Sequence, residues 1–120
     1  MKIFILEDDL IRIEKFKQLF KNQQVDFCQT AQDAKDACLL NDYSVLWLDH
    51  DLGGKIWENS QDENTGYQFV KWLVDNEVQK NTLIYIHSCN PIGANRMLNV
   101  LKDNGYNAIW APFHLLKLEE

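Results

Sequence analysis

Apolar positions along this chain follow two alternating rhythms. Ile3–Leu6, Val25–Cys28, Tyr43–Leu48, Thr82–Ile86 and Asn107–Trp110 are short, mostly apolar runs of strand length. Runs of about 4–8 such residues suit strands buried on both faces. Between them the apolar residues recur at helical spacing. Leu10, Ile13, Phe16 and Phe20 predict a helix from about Asp9 to Lys21. Thr30 with Asp33 three residues on has the form of a capping box and opens a second helix, to about Leu40, where Asn41-Asp42 breaks it. Tyr67, Val70, Leu73 and Val74 form a third stripe ending near Val78. Pro91 opens a fourth helix through Met97, Leu98 and Leu101 to Asn104, and Gly105 closes it. A short terminal helix is expected over Phe113–Leu118.

Strand and helix alternating five times predict an α/β fold: a doubly wound, flavodoxin-like, five-stranded parallel sheet of order 2-1-3-4-5 between helices on both faces. In that order the first, third and fourth strands are neighbours, about 4.8 Å apart. Their carboxyl ends carry Glu7-Asp8, Asp49-His50-Asp51 and His87-Ser88-Cys89-Asn90. Ligands of open α/β sheets bind at that edge.

Bare carboxylates about 4 Å apart repel by roughly 4 kcal/mol at an effective dielectric of about 20. A divalent cation offsets this, and oxygen donors point to Mg²⁺, with Mn²⁺ or Ca²⁺ as alternatives. A shared proton is the other solution. Glu7, Asp8, Asp49 and Asp51 are the candidate metal ligands. His50 and His87 can exchange protons near neutral pH, one accepting from water and the other donating to a departing ribose oxygen. Asn90 and Gly93 lie where the fourth helix begins, a favourable place for an anion. Ser88 and Arg96 complete the candidate phosphate contacts; the alternatives are that Gly93 only relieves crowding and that Arg96 is a solvated helix charge. The polar stretch between Gly54 and Thr65 is long for a strand–helix connection and suggests a binding loop, in which Trp57 is either a base-stacking surface or an anchor.

Composition narrows the partners. The 120 residues make one domain, 1–120, and no apolar run approaches the roughly 20 residues of a membrane span. A net charge of −6 argues against broad binding to nucleic-acid backbone, while leaving room for a strand end. Three cysteines without metal-site spacing point to a reducing cytoplasm.

Nearly the whole chain resembles the receiver domain of two-component response regulators. Ile5-Leu6-Glu7-Asp8-Asp9 is similar to that family's acidic segment, Leu48-Asp49 to its phosphoacceptor strand end, Ser88 to its hydroxyl position and Ala111-Pro112-Phe113 to its Lys-Pro-Phe. The receiver lysine thus falls on Ala111 and the aromatic switch position on Ala108. Asp49-His50-Asp51-Leu52-Gly53-Gly54, Thr65-Gly66-Tyr67 and His87 to Ala94 with Met97 resemble a divergent group more closely, the cyclic-phosphate processing receiver domains. That resemblance implies a metal-dependent phosphoesterase, a cyclic phosphodiesterase, with Asp49, His50 and His87 in catalysis. Its ligand would be a phosphate-containing small molecule or an RNA end. The alternative is a stand-alone receiver or pseudo-receiver that signals through a protein partner.

Overall fold

The computed structural model describes residues 2–52 and 62–116. The loop expected between Gly54 and Thr65, with Trp57, falls largely outside the described residues, as does the end of the terminal helix. Five parallel strands, β1 (Lys2–Leu6), β2 (Gln24–Cys28), β3 (Val45–Leu48), β4 (Leu83–Ile86) and β5 (Asn107–Trp110), pair in the order β2-β1-β3-β4-β5. They alternate with α1 (Leu10–Leu19), α2 (Ala31–Leu40), α3 (Gly66–Asn76) and α4 (Pro91–Asp103). The expected order and layering are those observed.

Strand alternation divides the core. Phe4 and Leu6, Leu46 and Leu48, Ile84 and Ile86 pack with the buried faces of α2, α3 and α4. Their neighbours Ile3, Ile5 and Trp47 point the other way, to Phe16 of α1 and to Phe113 and Leu116. Trp47 and Tyr85 stack at 4.4 Å on that second face.

Local chemistry sets the ends. Thr30 Oγ accepts from the Asp33 amide at 3.1 Å, so the expected box is a true cap. Thr65 caps α3 in the same way through Gln68. The α3 stripe reaches Val78 although the helix stops at Asn76, because Glu77 turns left-handed and the Val78 amide bonds back to Leu73. The expected terminal helix is a single 3-10 turn, Phe113–Leu115, among the described residues.

Register places the site. Leu6, Leu48, Ile86 and Trp110 align across four strands. The ladder continues one residue further: the Asp49 amide bonds to Leu6 O at 3.2 Å, His87 to Leu48 O at 2.9 Å and Ala111 to Ile86 O at 2.8 Å. Glu7, Asp49, His87 and Ala111 therefore leave the sheet at one level.

Candidate functional site at the carboxyl rim

Glu7 follows Ile3 and Ile5, Asp49 follows Val45 and Trp47, and His87 follows Tyr85 at two-residue steps on the face that packs on α1, so alternation turns Glu7, Asp49 and His87 toward α1. One carboxylate oxygen of each acid and one imidazole nitrogen all lie within 4.8 Å of one another, and all three residues are buried. Glu7 Oε1 accepts from His87 Nε2 at 3.0 Å, and Oε2 accepts from the Asp8 and Asp9 amides at 3.0 and 3.1 Å. Burial alone would raise the Glu7 pKa. The bond to His87, the Asp9 amide and the charge of Arg12 outweigh it and hold the carboxyl below its ordinary range. Asp49 is the opposite case. Burial and then the Glu7 charge push it well above the ordinary range, against the pull of Arg12 and the His50 amide. The pair carries more negative charge than its surroundings accommodate.

His87 is sealed among aromatic rings, with Phe16 edge-on at 5.0 Å and Trp47 and Phe113 each at 6.4 Å. Complete burial lowers its pKa, which the bond to Glu7 only partly offsets, so the ring is neutral. A neutral imidazole donating through Nε2 keeps a bare lone pair on Nδ1, and Nδ1 is the buried side-chain atom left unpartnered among the described residues. Ligating a cation through Nε2 would send the proton to Nδ1, where no acceptor stands. The donor set therefore fits a cation held by Glu7 and Asp49, with His87 orienting Glu7. His87→Phe keeps the ring volume but removes this donor. It is expected to cost about 1–3 kcal/mol in chemical denaturation at pH 7. Because Glu7 is depressed, its contribution is full above the ordinary value, 4.5, and is lost as pH falls from there through the lower folded value, so the difference holds from pH 7 down to that point and shrinks only below it.

His50 occupies the other side of Asp49. Its ring is buried, Nδ1 stands 3.0 Å from Asp51 Oδ1, and its amide donates to Asp49 Oδ1 at 2.9 Å. Asn90 Nδ2 lies 3.4 Å from the same Asp51 oxygen. Asn90 Oδ1 caps α4 through the Gly93 amide at 3.1 Å, and Ser88 Oγ accepts from the Asn90 amide at 3.1 Å. A Cβ on Gly93 would meet the His50 ring at 2.5 Å, so its bareness seats this imidazole. The rim thus holds two histidine–carboxylate pairs, His87–Glu7 and His50–Asp51, on either side of Asp49. Asp8 is half-buried beside Glu7. Arg96 is exposed on α4 and enters no ion pair found among the described residues.

Sequence reading missed Arg12. Its Nη1 lies 3.6 Å from Glu7 Oε1 and 3.9 Å from Asp49 Oδ2. The signal was present: Asp9 Oδ1 caps α1 by accepting from the Ile11 and Arg12 amides, and Arg12 precedes the buried Phe16 by one turn. Position 111 carries no charge, and the cation beside Asp49 comes from α1 instead.

A family model described as Cyclic-phosphate processing Receiver domain matches residues 1–103. The chain belongs to that family. Both histidine–carboxylate pairs of this receiver domain lie inside the matched stretch; β5 and the turn at Phe113 lie beyond it. Among solved structures, a CheY-like response regulator receiver domain from Methylobacillus flagellatus is similar at 18% identity, covering 93% of this chain and 85% of that one, with a TM-score of 0.68. Vibrio cholerae CheY4 is similar at 18% identity, 92% and 84% coverage and a TM-score of 0.63. A CheY-like receiver from Methanospirillum hungatei gives 16%, 92%, 81% and 0.67. These likenesses establish the receiver fold. No curated protein matches the chain. No helix among the described residues is long and apolar enough to cross a membrane.

Proposed function

We propose that this receiver domain binds a cyclic phosphate at the carboxyl rim and opens it by hydrolysis, with a divalent cation as cofactor. The observation that supports this most is the convergence of two buried carboxylates, Glu7 and Asp49, whose charge the surrounding residues do not balance. Glu7 and Asp49 would hold the cation, with Asp8 and Asp51 near enough in the chain to add oxygen donors. All-oxygen donors suit Mg²⁺, Mn²⁺ or Ca²⁺. Such an ion supplies charge to the phosphoryl oxygens and makes water more acidic.

In the reaction, water oxygen bonds to phosphorus, one ring P–O bond breaks, and the departing ribose oxygen takes a proton. Asp51 fixes the His50 tautomer with Nδ1–H toward its carboxylate, so Nε2 is the nitrogen that trades a proton. His50 accepts the proton from water and returns it to the leaving oxygen. His87 holds Glu7 in place from within its closed aromatic pocket. Ser88, Asn90 and Gly93 keep the β4–α4 connection and the His50 ring in position.

The test is turnover of 2′,3′-cyclic nucleotides, followed by chromatography of the monophosphate product. Wild type plus Mg²⁺ or Mn²⁺ is expected to hydrolyse them, and His50→Ala to lose about 10²–10⁴-fold. Hydrolysis that survives both chelation and His50→Ala contradicts the proposal. The position of Asp49 at the end of β3, next to a cation, favours one other reading: a stand-alone receiver phosphorylated on Asp49 that signals to a protein partner. Stable Mg²⁺-dependent labelling of Asp49 by acetyl phosphate, without turnover, would select it.

A further inference from the structure

We propose that Arg12 is the phosphate clamp of this rim: resting on Glu7 and Asp49 while the site is empty of anion, its guanidinium turns its donors to the phosphoryl oxygens of a bound cyclic phosphate. This deepens the reading above and rests on it.

The geometry is that of a cation in reserve. Both ion pairs run through Nη1, at 3.6 and 3.9 Å, longer than the roughly 2.7–2.9 Å of a charge-assisted hydrogen bond. A guanidinium has five N–H donors in a planar fork. The carboxylates are buried, whereas the Arg12 side chain is 33% exposed, so it spans the interval between the acids and solvent. The guanidinium carbon lies 5.6 Å from the centre of the Phe113 ring, a stacking surface that steers the fork without consuming donors. The Phe113 amide is tied to His87 O at 2.9 Å, so that surface is fixed to the same rim. The backbone of Arg12 is anchored by the Asp9 cap.

The same charge works against a metal ion. Arg12 and a divalent cation compete for Glu7 and Asp49, and the competition ends when an anion arrives to share both. A clamp therefore predicts opposite effects on two ligands, which a purely structural arginine does not.

The experiment titrates Mg²⁺ by calorimetry, and inorganic phosphate at saturating Mg²⁺ by ³¹P line broadening, on wild type, Arg12→Gln and Arg12→Lys. Arg12→Gln is expected to weaken phosphate about 10- to 100-fold while tightening Mg²⁺ about threefold or more. Arg12→Lys keeps the charge without the fork and remains folded if the loss of charge unfolds the Gln variant; it is expected to hold Mg²⁺ as wild type does and phosphate about 10-fold more weakly. Phosphate affinity within twofold of wild type in Arg12→Lys overturns the clamp while leaving the cyclic-phosphate reading standing. Weakening of both ligands in Arg12→Gln also overturns it, assigning Arg12 to structure alone. Wild type that binds phosphate neither with nor without Mg²⁺ removes the underlying reading and the clamp together.

Discussion

Gly66→Ala is expected to lower the unfolding midpoint by roughly 10 °C or more, the largest loss of stability from adding one methyl group at any of the described glycines. A Cβ at position 66 would stand 1.8 Å from the Asp49 carbonyl oxygen, 2.8 Å from its carbonyl carbon and 2.8 Å from Met97 Cε. The methionine end can swing away. The Asp49 backbone cannot, because its amide is held by Leu6 O and its neighbour His50 O accepts from the Gly66 amide at 2.9 Å. Either α3 moves off the sheet, or the rim that carries Asp49 and His50 is pushed out of register. Thermal denaturation by circular dichroism reads the effect, and a midpoint within a few degrees of wild type would refute the close approach. Gly93→Ala meets the His50 side chain instead of backbone, so its larger consequence is a displaced imidazole.

Asp49→Asn carries the opposite sign. In a cation-free buffer at pH 7 this variant is expected to be more stable than wild type, by on the order of 1–3 kcal/mol. The amide keeps an acceptor for the His50 N–H and removes a buried charge facing Glu7. The pH dependence follows from the raised carboxyl. Between the ordinary aspartate value, 3.8, and the higher folded value, the unfolded chain gives up its proton first, so wild-type stability falls as pH rises through that window and stays low above it. Asparagine does not ionise, so its advantage grows as pH rises above the ordinary aspartate value and vanishes below about pH 4. Saturating divalent cation reverses the order, because wild type gains binding free energy that Asp49→Asn cannot. Denaturation at pH 4 and pH 7, with and without Mg²⁺, gives four values. An advantage that does not change with pH would sink the assignment of buried charge to Asp49.

Much of this was legible in the sequence because strand order and residue parity suffice to bring side chains to one edge. Apolar runs located every strand, Thr30 and Pro91 located helix starts, and the order 2-1-3-4-5 put Glu7, Asp49 and His87 on adjacent strands. Parity was the part left unread. It sends His87 with Glu7 and Asp49 toward α1 and His50 toward α4, where its ring meets Gly93, separating two imidazoles that sequence reasoning had paired as acid and base. Gly93 shows a second limit: relief of crowding was one of its two readings, but the partner it makes room for, the His50 ring, is 43 residues away in the chain and no local pattern names it. Arg12 shows a third. A lone arginine in an amphipathic helix looks like a solvated charge until the helix is docked, when one turn from Phe16 becomes one side chain from Asp49.

The account stands on Glu7 and Asp49 sharing a divalent cation. Electron paramagnetic resonance of Mn²⁺ titrated into the protein measures this directly, since bound ion loses the six-line signal of the free aquo ion. One strong site per chain is expected in wild type and none in Glu7→Gln or Asp49→Asn, with His87→Phe intermediate. Unchanged stoichiometry and affinity in both acid variants would contradict the account.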